Sequence, residues 1–241
     1  MSDDEAPSQE VKVVLLGESG VGKSSIIKQY VTHTFDPDID SSISSKYISK
    51  IVNVSDEQKK LKFNLWDTAG QEKYRSLAKI FYKDARIIIL VYSINNAKSY
   101  EEMKKYWYQE VKTNGLSNAI YAVVGNKHDL YNTSQVNEKE AMEWADSIGG
   151  IFQLTSAKTN SGIDTLFQNL AKKFFDPDFN YKKEDEEAKK LYEMKKKENE
   201  ENKRRKKDED QTLNMPKIQT IKLHENNNAT NNNIKAKKGC C

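Results

Sequence analysis

The sequence predicts an α/β protein with a mostly parallel central sheet, one antiparallel edge strand and helices on both faces. Three observations predict it. Five short apolar runs alternate with stretches of helical periodicity, turn residues bound each run, and a glycine-rich loop separates the first run from the first helix. Strand and helix alternating in this way give a parallel sheet covered on both sides.

Residues 11–16, 61–66, 86–92, 119–124 and 151–154 are the strands, each short and rich in Val, Ile, Leu or aromatic residues. Residues 23–32, 72–82, 99–112, 137–147 and 162–174 are the helices, several opening after Ser, Thr or Asn caps. Residues 46–54, rich in Ile and Val and close before 61–66, supply the antiparallel edge. No internal repeat is visible.

The chain has 241 residues, with 39 Lys+Arg against 36 Asp+Glu, 37% hydrophobic and 31% charged. That suits one domain plus a polar excess. No apolar run approaches the roughly 18 residues of a membrane span, which excludes an integral membrane protein. The two cysteines, Cys240 and Cys241, end the chain and cannot staple a core or hold zinc. Residues 1–9 lack the basic-then-apolar order of a secretory signal, so a cytosolic chain is expected.

Composition changes near Pro177. Residues 178–241 hold 17 Lys+Arg and 13 Asp+Glu, net +4, which leaves 22 against 23 for residues 1–177, net −1. Lys-Glu blocks followed by Asn runs offer too few apolar groups to offset ordering entropy. The expected layout is a flexible 1–8, a folded domain over 9–177, and a charged tail over 178–241, disordered or a solvated helix.

After the first strand comes Gly17-Glu18-Ser19-Gly20-Val21-Gly22-Lys23-Ser24, the P-loop pattern in its proper strand-to-helix context. The glycines let backbone N–H groups surround an anion, the helix adds its positive end, and Lys23 reaches the outer phosphates. Ser24 then offers a hydroxyl to magnesium. Ser19, Gly20, Val21, Gly22, Lys23, Ser24 and Ser25 are therefore candidate nucleotide-binding residues, the alternative being a plain turn.

Asp67-Thr68-Ala69-Gly70-Gln71 follows a strand, so the Asp67 carboxylate stands at a strand end, where open parallel sheets bind ligands. Alone, this string is a common turn. Asn126-Lys127-His128-Asp129 lies beyond 119–124, and its acidic side chain can accept from the guanine N1–H and amine, a donor pair adenine lacks. A site built for such a pair discriminates strongly against a base without it. Ser156-Ala157-Lys158 follows the next strand and can offer an N–H to the guanine carbonyl.

In this order and spacing the elements resemble the Ras superfamily of small GTPases over roughly residues 9–175. Trp66, the run Tyr74-Arg75-Ser76-Leu77-Ala78, Phe81-Tyr82 and the terminal Cys240-Cys241 are similar to the Rab family, and Tyr74 to Ala78 to its early-endosomal branch. The resemblance implies a P-loop NTPase G domain. It implies that Phe35 lies edge-on to guanine, that Asn126 holds ring and loop, and that the Lys127 stem covers the base. Ser42, 18 residues after Ser24, takes the place of the family's threonine as second magnesium ligand. Gly70 would donate to the terminal phosphate, Asp67 would hold the metal through water, and Gln71 would orient the attacking water, a chemistry of electrostatic positioning.

The first switch departs from the family. Ser42-Ile43-Ser44-Ser45-Lys46-Tyr47 stands where a Rab shows Thr-Ile-Gly and then an aromatic three residues on, and Ser93 replaces a common aspartate. Effector identity is therefore not inherited from the resemblance. Tyr47, Trp66 and Phe81 match an aromatic trio that in Rabs forms an effector surface; individually each also reads as core.

In the tail, residues 182–207 carry mixed charge at helical spacing, and 182–210 hold twelve Lys+Arg against eleven Asp+Glu, which argues against a nucleic-acid arm. The basic block 203–207 reads as a solvated charge run or as a site for anionic lipid or import receptors. Gly239-Cys240-Cys241 fails the C-a-a-X rule but resembles the Rab terminus that receives two geranylgeranyl chains, enough for firm anchoring. Lys235, Lys237 and Lys238 beside it would add roughly 1 kcal/mol each at an anionic leaflet.

The expected function is a GTP/GDP switch of vesicle or endosomal membrane traffic, hydrolysing GTP slowly on its own and dependent on an activating protein for fast turnover. The resemblance implies an exchange factor, a GTPase-activating protein, effectors, a prenylation escort and a GDP-dissociation inhibitor as partners, at the cytoplasmic face of endosomal or vesicular membranes. The rivals are a non-hydrolysing GTP-binding scaffold with an altered first switch, and a P-loop kinase.

Overall fold

The computed structural model describes residues 9–37, 46–54, 59–68, 75–183 and 186, with backbone alone at 46 and 75–78. In chain order the first half comprises β1 (Gln9–Leu16), α1 (Lys23–Thr32), β2 (Lys46–Val54), β3 (Lys59–Asp67), α2 (Arg75–Tyr82) and β4 (Ile87–Ser93). The second half comprises α3 (Ala97–Glu102), a π-helical segment (Met103–Trp107), α4 (Tyr108–Asn114), β5 (Ile120–Asn126), a 3-10 turn (His128–Thr133), α5 (Glu138–Ser147), β6 (Ile151–Leu154) and α6 (Ile163–Phe175).

The strands form one sheet in the order β2-β3-β1-β4-β5-β6, parallel throughout except for the antiparallel β2–β3 pair at one edge. This is the predicted architecture. Period-two alternation divides each central strand between two cores. Val13 and Leu15, Ile87 and Ile89, and Ala122 and Val124 face α1 and α6, with Ile26, Ile27, Leu166 and Phe167. Val14 and Leu16, Ile88 and Leu90, and Val123 pack with Met103, Trp107, Val111 and Ala141 on the other side. A strand covered on both faces must be apolar almost continuously, and β4 is buried at every position.

Asn96 and Asn137 cap α3 and α5 by accepting the N–H of Ser99 and Glu140, each at 3.1 Å. One element differs from the sequence expectation. The helix expected over 99–112 contains the π segment, because Met103, Trp107 and Val111 are all buried at intervals of four. On a 3.6-residue helix that interval drifts about 40° per step, and a wider turn takes up the drift. The helix expected over 72–82 is described from Arg75; residues 72–74 lie outside the described residues.

Packing against the domain continues past Pro177, where the composition changes. Lys173 Nζ donates to Phe179 O at 3.1 Å, the Phe152 N–H donates to the Tyr181 hydroxyl at 3.2 Å, and Lys182 pairs with Asp146. Tyr181 packs against both cores. An aromatic residue at the start of the charged stretch extends the folded unit, which the contacts divide from the remainder at Asp185. Beyond it only Glu186 is described. Among the described residues no helix is long and apolar enough to cross a membrane.

Candidate functional site

The loop leaving β1 turns through positive φ, at 75° for Gly20 and 99° for Gly22, conformations glycine adopts without steric penalty. At Gly22 an added Cβ would stand 2.2 Å from Asn126 Nδ2. The loop therefore comes this close to β5 only because that residue is glycine. Asn126 Nδ2 donates to Val21 O at 2.8 Å, while its Oδ1 accepts from Thr155 Oγ1 at 3.1 Å and from the Ala157 N–H at 3.4 Å. One buried amide thus ties together the loop after β1, the end of β5 and the loop after β6.

Lys23, buried in the first turn of α1, donates from Nζ to the carbonyls of Gly17 and Glu18, both at 2.9 Å. Burial pushes its ammonium down to about 8, against the opposing pull of the Asp67 and Glu18 carboxylates. A cation held at a helix N-terminus beside glycine-turned backbone makes a receptor for anions. Asp67 ends β3 at 3% exposure. Thr68 turns its hydroxyl away, donating to Leu15 O at 2.6 Å.

At the end of β5 the chain bends sharply, with Lys127 at φ 67°. Non-glycine residues occupy that region at a cost, and such strain collects at functional sites. His128 N–H donates to Thr155 O at 3.0 Å and locks the bend. Ser156 Oγ donates to Asp129 Oδ1 at 2.7 Å while accepting the Thr159 N–H at 3.1 Å. The serine proton is thereby committed to the carboxylate, which orients Asp129.

These strand ends enclose a cavity of about 720 Å³. Its wall takes Ser19, Gly20, Gly22, Lys23, Ser24 and Ser25 from the first loop, Phe35 from the segment after α1, and Thr68 from the end of β3. Asn126, Lys127, Asp129 and Leu130 come from the turn after β5, and Ala157 and Lys158 from the loop after β6. Phe35 is 40% exposed at its rim. Val21, Asp67 and Ser156 are buried beside residues of the wall. Ser42, Gly70 and Gln71 lie outside the described residues, as do Tyr74, Cys240 and Cys241, and the side chains of Lys46 and of Arg75 to Ala78. Ser24 and Asp67 are hard oxygen donors, a set that suits magnesium rather than a softer metal.

Sequence reasoning did not single out Asp36, Pro37, Thr68 or Leu130 of the wall, nor Thr155 behind it. Thr155 is buried and anchors Asn126 through its hydroxyl, and its position directly ahead of Ser156-Ala157-Lys158 was the available signal. Leu130 had none, because its place follows from the 3-10 turn.

The aromatic trio is brought together. Tyr47 meets Trp66 edge-on with centroids 5.5 Å apart, and Trp66 meets Phe81 at 6.1 Å, spacings at which aromatic pairs attract. Tyr47 remains 53% exposed, with its hydroxyl donating to Asn64 Oδ1 at 2.9 Å. Trp66 and Phe81 are half-buried against the core, and Lys12 Nζ lies 5.0 Å from the Trp66 ring.

Comparison with known proteins gives a consistent picture. The profile described as Ras family matches residues 12–176. The chain is 40% identical over 172 residues to the human Ras-related protein Rab-22A, covering 71% of this chain and 87% of that protein. It is 42% identical over 164 residues to mouse Ras-related protein Rab-31, with 68% and 83% covered. To Ras-related protein Rab5A of Oryza sativa subsp. japonica it is 41% identical over 165 residues, with 68% and 80% covered.

Proposed function

Because this chain belongs to the Ras family, as a Rab-family small GTPase of the early-endosomal branch that regulates endosomal membrane traffic, we propose that the cavity at the strand ends is its guanine-nucleotide and magnesium site. One observation carries the reading. Five segments scattered between Ser19 and Lys158 converge on a single cavity, each presenting the group the chemistry needs.

Ras-family GTPases use GTP, GDP and magnesium. In this chain the loop N–H groups of Ser19 to Ser25 and the Lys23 ammonium take the phosphates. Asp129, oriented by Ser156, accepts from the guanine N1–H and amine, Ala157 offers its N–H to the carbonyl, and Phe35 and the Lys127 stem bracket the ring. Ser24, Ser42 and Asp67 would hold magnesium, which neutralises phosphate charge when bound. Gly70 donates to the terminal phosphate and Gln71 orients the attacking water. The protein thus stabilises charge without forming a covalent intermediate, and turnover is slow until an activating protein contributes the missing charge.

The switch segments following from Ser42 and Gly70 order around GTP and release on hydrolysis. The exposed Tyr47 with Trp66 and Phe81 forms the face that effectors read. Rab-family membership implies exchange factors, activating proteins, effectors and a GDP-dissociation inhibitor in general. For this chain we infer, in addition, a prenylation escort, two prenyl chains on Cys240 and Cys241, and cycling between cytosol and the cytoplasmic face of endosomal membranes. In this layout residues 1–8 precede the G domain and the hypervariable tail carries the anchor.

The decisive test is base choice. Asp129→Asn should lose GTP affinity by at least tenfold, the order expected when one buried polar partner is removed, and gain preference for xanthine nucleotides in a competition assay. Unchanged guanine selectivity would remove Asp129 from the site.

A further inference from the structure

Outside the cavity wall, one side-chain contact reaches the phosphate loop from a helix far away in sequence. Trp107 Nε1 donates to Glu18 Oε1 at 2.9 Å. Trp107 is among the largest fully buried side chains, at 1% exposure, and a buried indole N–H requires a partner. Glu18 is the residue between Gly17 and Ser19, and its own carbonyl accepts Lys23 Nζ at 2.9 Å. The same residue is thus held at the side chain from outside the loop and at the backbone from within it.

The helix that carries Trp107 is built unusually at that point. Met103–Trp107 is π-helical between two α-helical segments, and Trp107 closes the wide turn. Such single-turn bulges interrupt helix regularity and are frequent at functional sites. Here the bulge keeps Trp107 on the face it shares with Met103 and Val111, against the core, with its N–H at the loop.

We propose that Trp107 is a positioning residue for nucleotide retention: its indole N–H anchors the Glu18 side chain and so holds the crest of the phosphate loop in its anion-binding form. The inference rests on the reading of the cavity as a nucleotide site. It concerns the rate of nucleotide release rather than the identity of the base, because neither Trp107 nor the Glu18 side chain lines the cavity.

The test is a double-mutant cycle on release of a fluorescent GDP analogue, chased with excess GDP, in the full-length protein. Trp107→Phe and Glu18→Leu each remove one end of the contact and should each speed release roughly tenfold, the scale of one hydrogen bond to a charged group. The double variant should release no faster than about threefold beyond either single one, as coupled residues require. Glu18→Gln keeps an acceptor and should stay within about threefold of the parent, which separates the anchor from the charge. Multiplying single-variant effects, or Glu18→Leu matching Glu18→Gln, would overturn the proposal. If Trp107→Phe does not fold, the Leu and Gln variants of this surface loop still decide it. Guanine nucleotide content of the parent, measured after denaturation, keeps the two readings apart. A parent without nucleotide contradicts the site, whereas a loaded parent with uncoupled variants contradicts the anchor alone.

Discussion

Replacing Gly22 by alanine should damage the protein more than the same change two residues earlier. Alanine at φ 99° carries the left-handed penalty, about 1–2 kcal/mol. Its Cβ also falls 2.2 Å from Asn126 Nδ2, which forces the amide off Val21 O. A buried polar group left without its partner costs about 1–3 kcal/mol. Gly20→Ala, at φ 75° with nothing within 4 Å of the added atom, carries the first penalty only. The two variants should therefore differ by about 1–3 kcal/mol, or roughly 2–12 °C in melting temperature for a domain of this size. Calorimetry at one saturating GDP concentration measures the difference, and GDP release should rank the variants in the same order. Equal melting temperatures for the two would refute the close approach of loop and Asn126.

Gln71→Leu should leave GTP binding within about threefold while slowing single-turnover phosphate release by roughly tenfold or more; parental hydrolysis in the variant would assign the water to another group. Serine at both Cys240 and Cys241 should leave nucleotide binding intact and move the protein to the cytosol in cell fractionation, since one short chain anchors only marginally. Mass spectrometry of the terminal peptide checks the modification directly. Tyr181→Phe, which deletes the acceptor of the Phe152 N–H, should lower unfolding stability by about 1 kcal/mol. Truncation after Pro177 should cost more than truncation after Asp185, and equal denaturation midpoints would place Tyr181 outside the folded unit.

The strands were legible because each core strand is an apolar run ended by turn chemistry, and β6 and α1 have the bounds that periodicity predicts. The edge pairing of β2 was legible from Ile and Val close before β3. The glycine-rich loop after β1, Asn126 and Asp129 drew attention because their residue types and spacings are narrow chemical solutions, whereas Asp67 sits in a string that alone is a common turn and gained its weight from them. Thr155 carried one weak signal, its place directly ahead of Ser156-Ala157-Lys158, but a threonine after a strand has many uses, and the fold is what brings it within 3.1 Å of Asn126 Oδ1. The π segment was hidden for a different reason: intervals of four between Met103, Trp107 and Val111 fit an ordinary helix on paper, and the drift matters only once a flat sheet must be covered. Tyr181 was masked by the charged residues that follow it.

The register of the edge hairpin has a mechanical consequence. Lys46 lies opposite Asp67 and Tyr47 opposite Trp66, so the chain enters β2 from residues 38–45 and leaves β3 toward residues 69–74 at the same end of one antiparallel ribbon, whose inner strand also pairs with β1. The ribbon works as a ruler. A slip of one residue would throw Tyr47 to the opposite face from Trp66, and a slip of two would break and remake the whole ladder of backbone hydrogen bonds. Slack in either flanking segment therefore cannot be taken up by sliding β2 along β3 without remaking that ladder. Lengthening residues 38–45 by one residue should be felt there and leave the ribbon unchanged, whereas inserting one residue inside β2 should scatter the aromatic row.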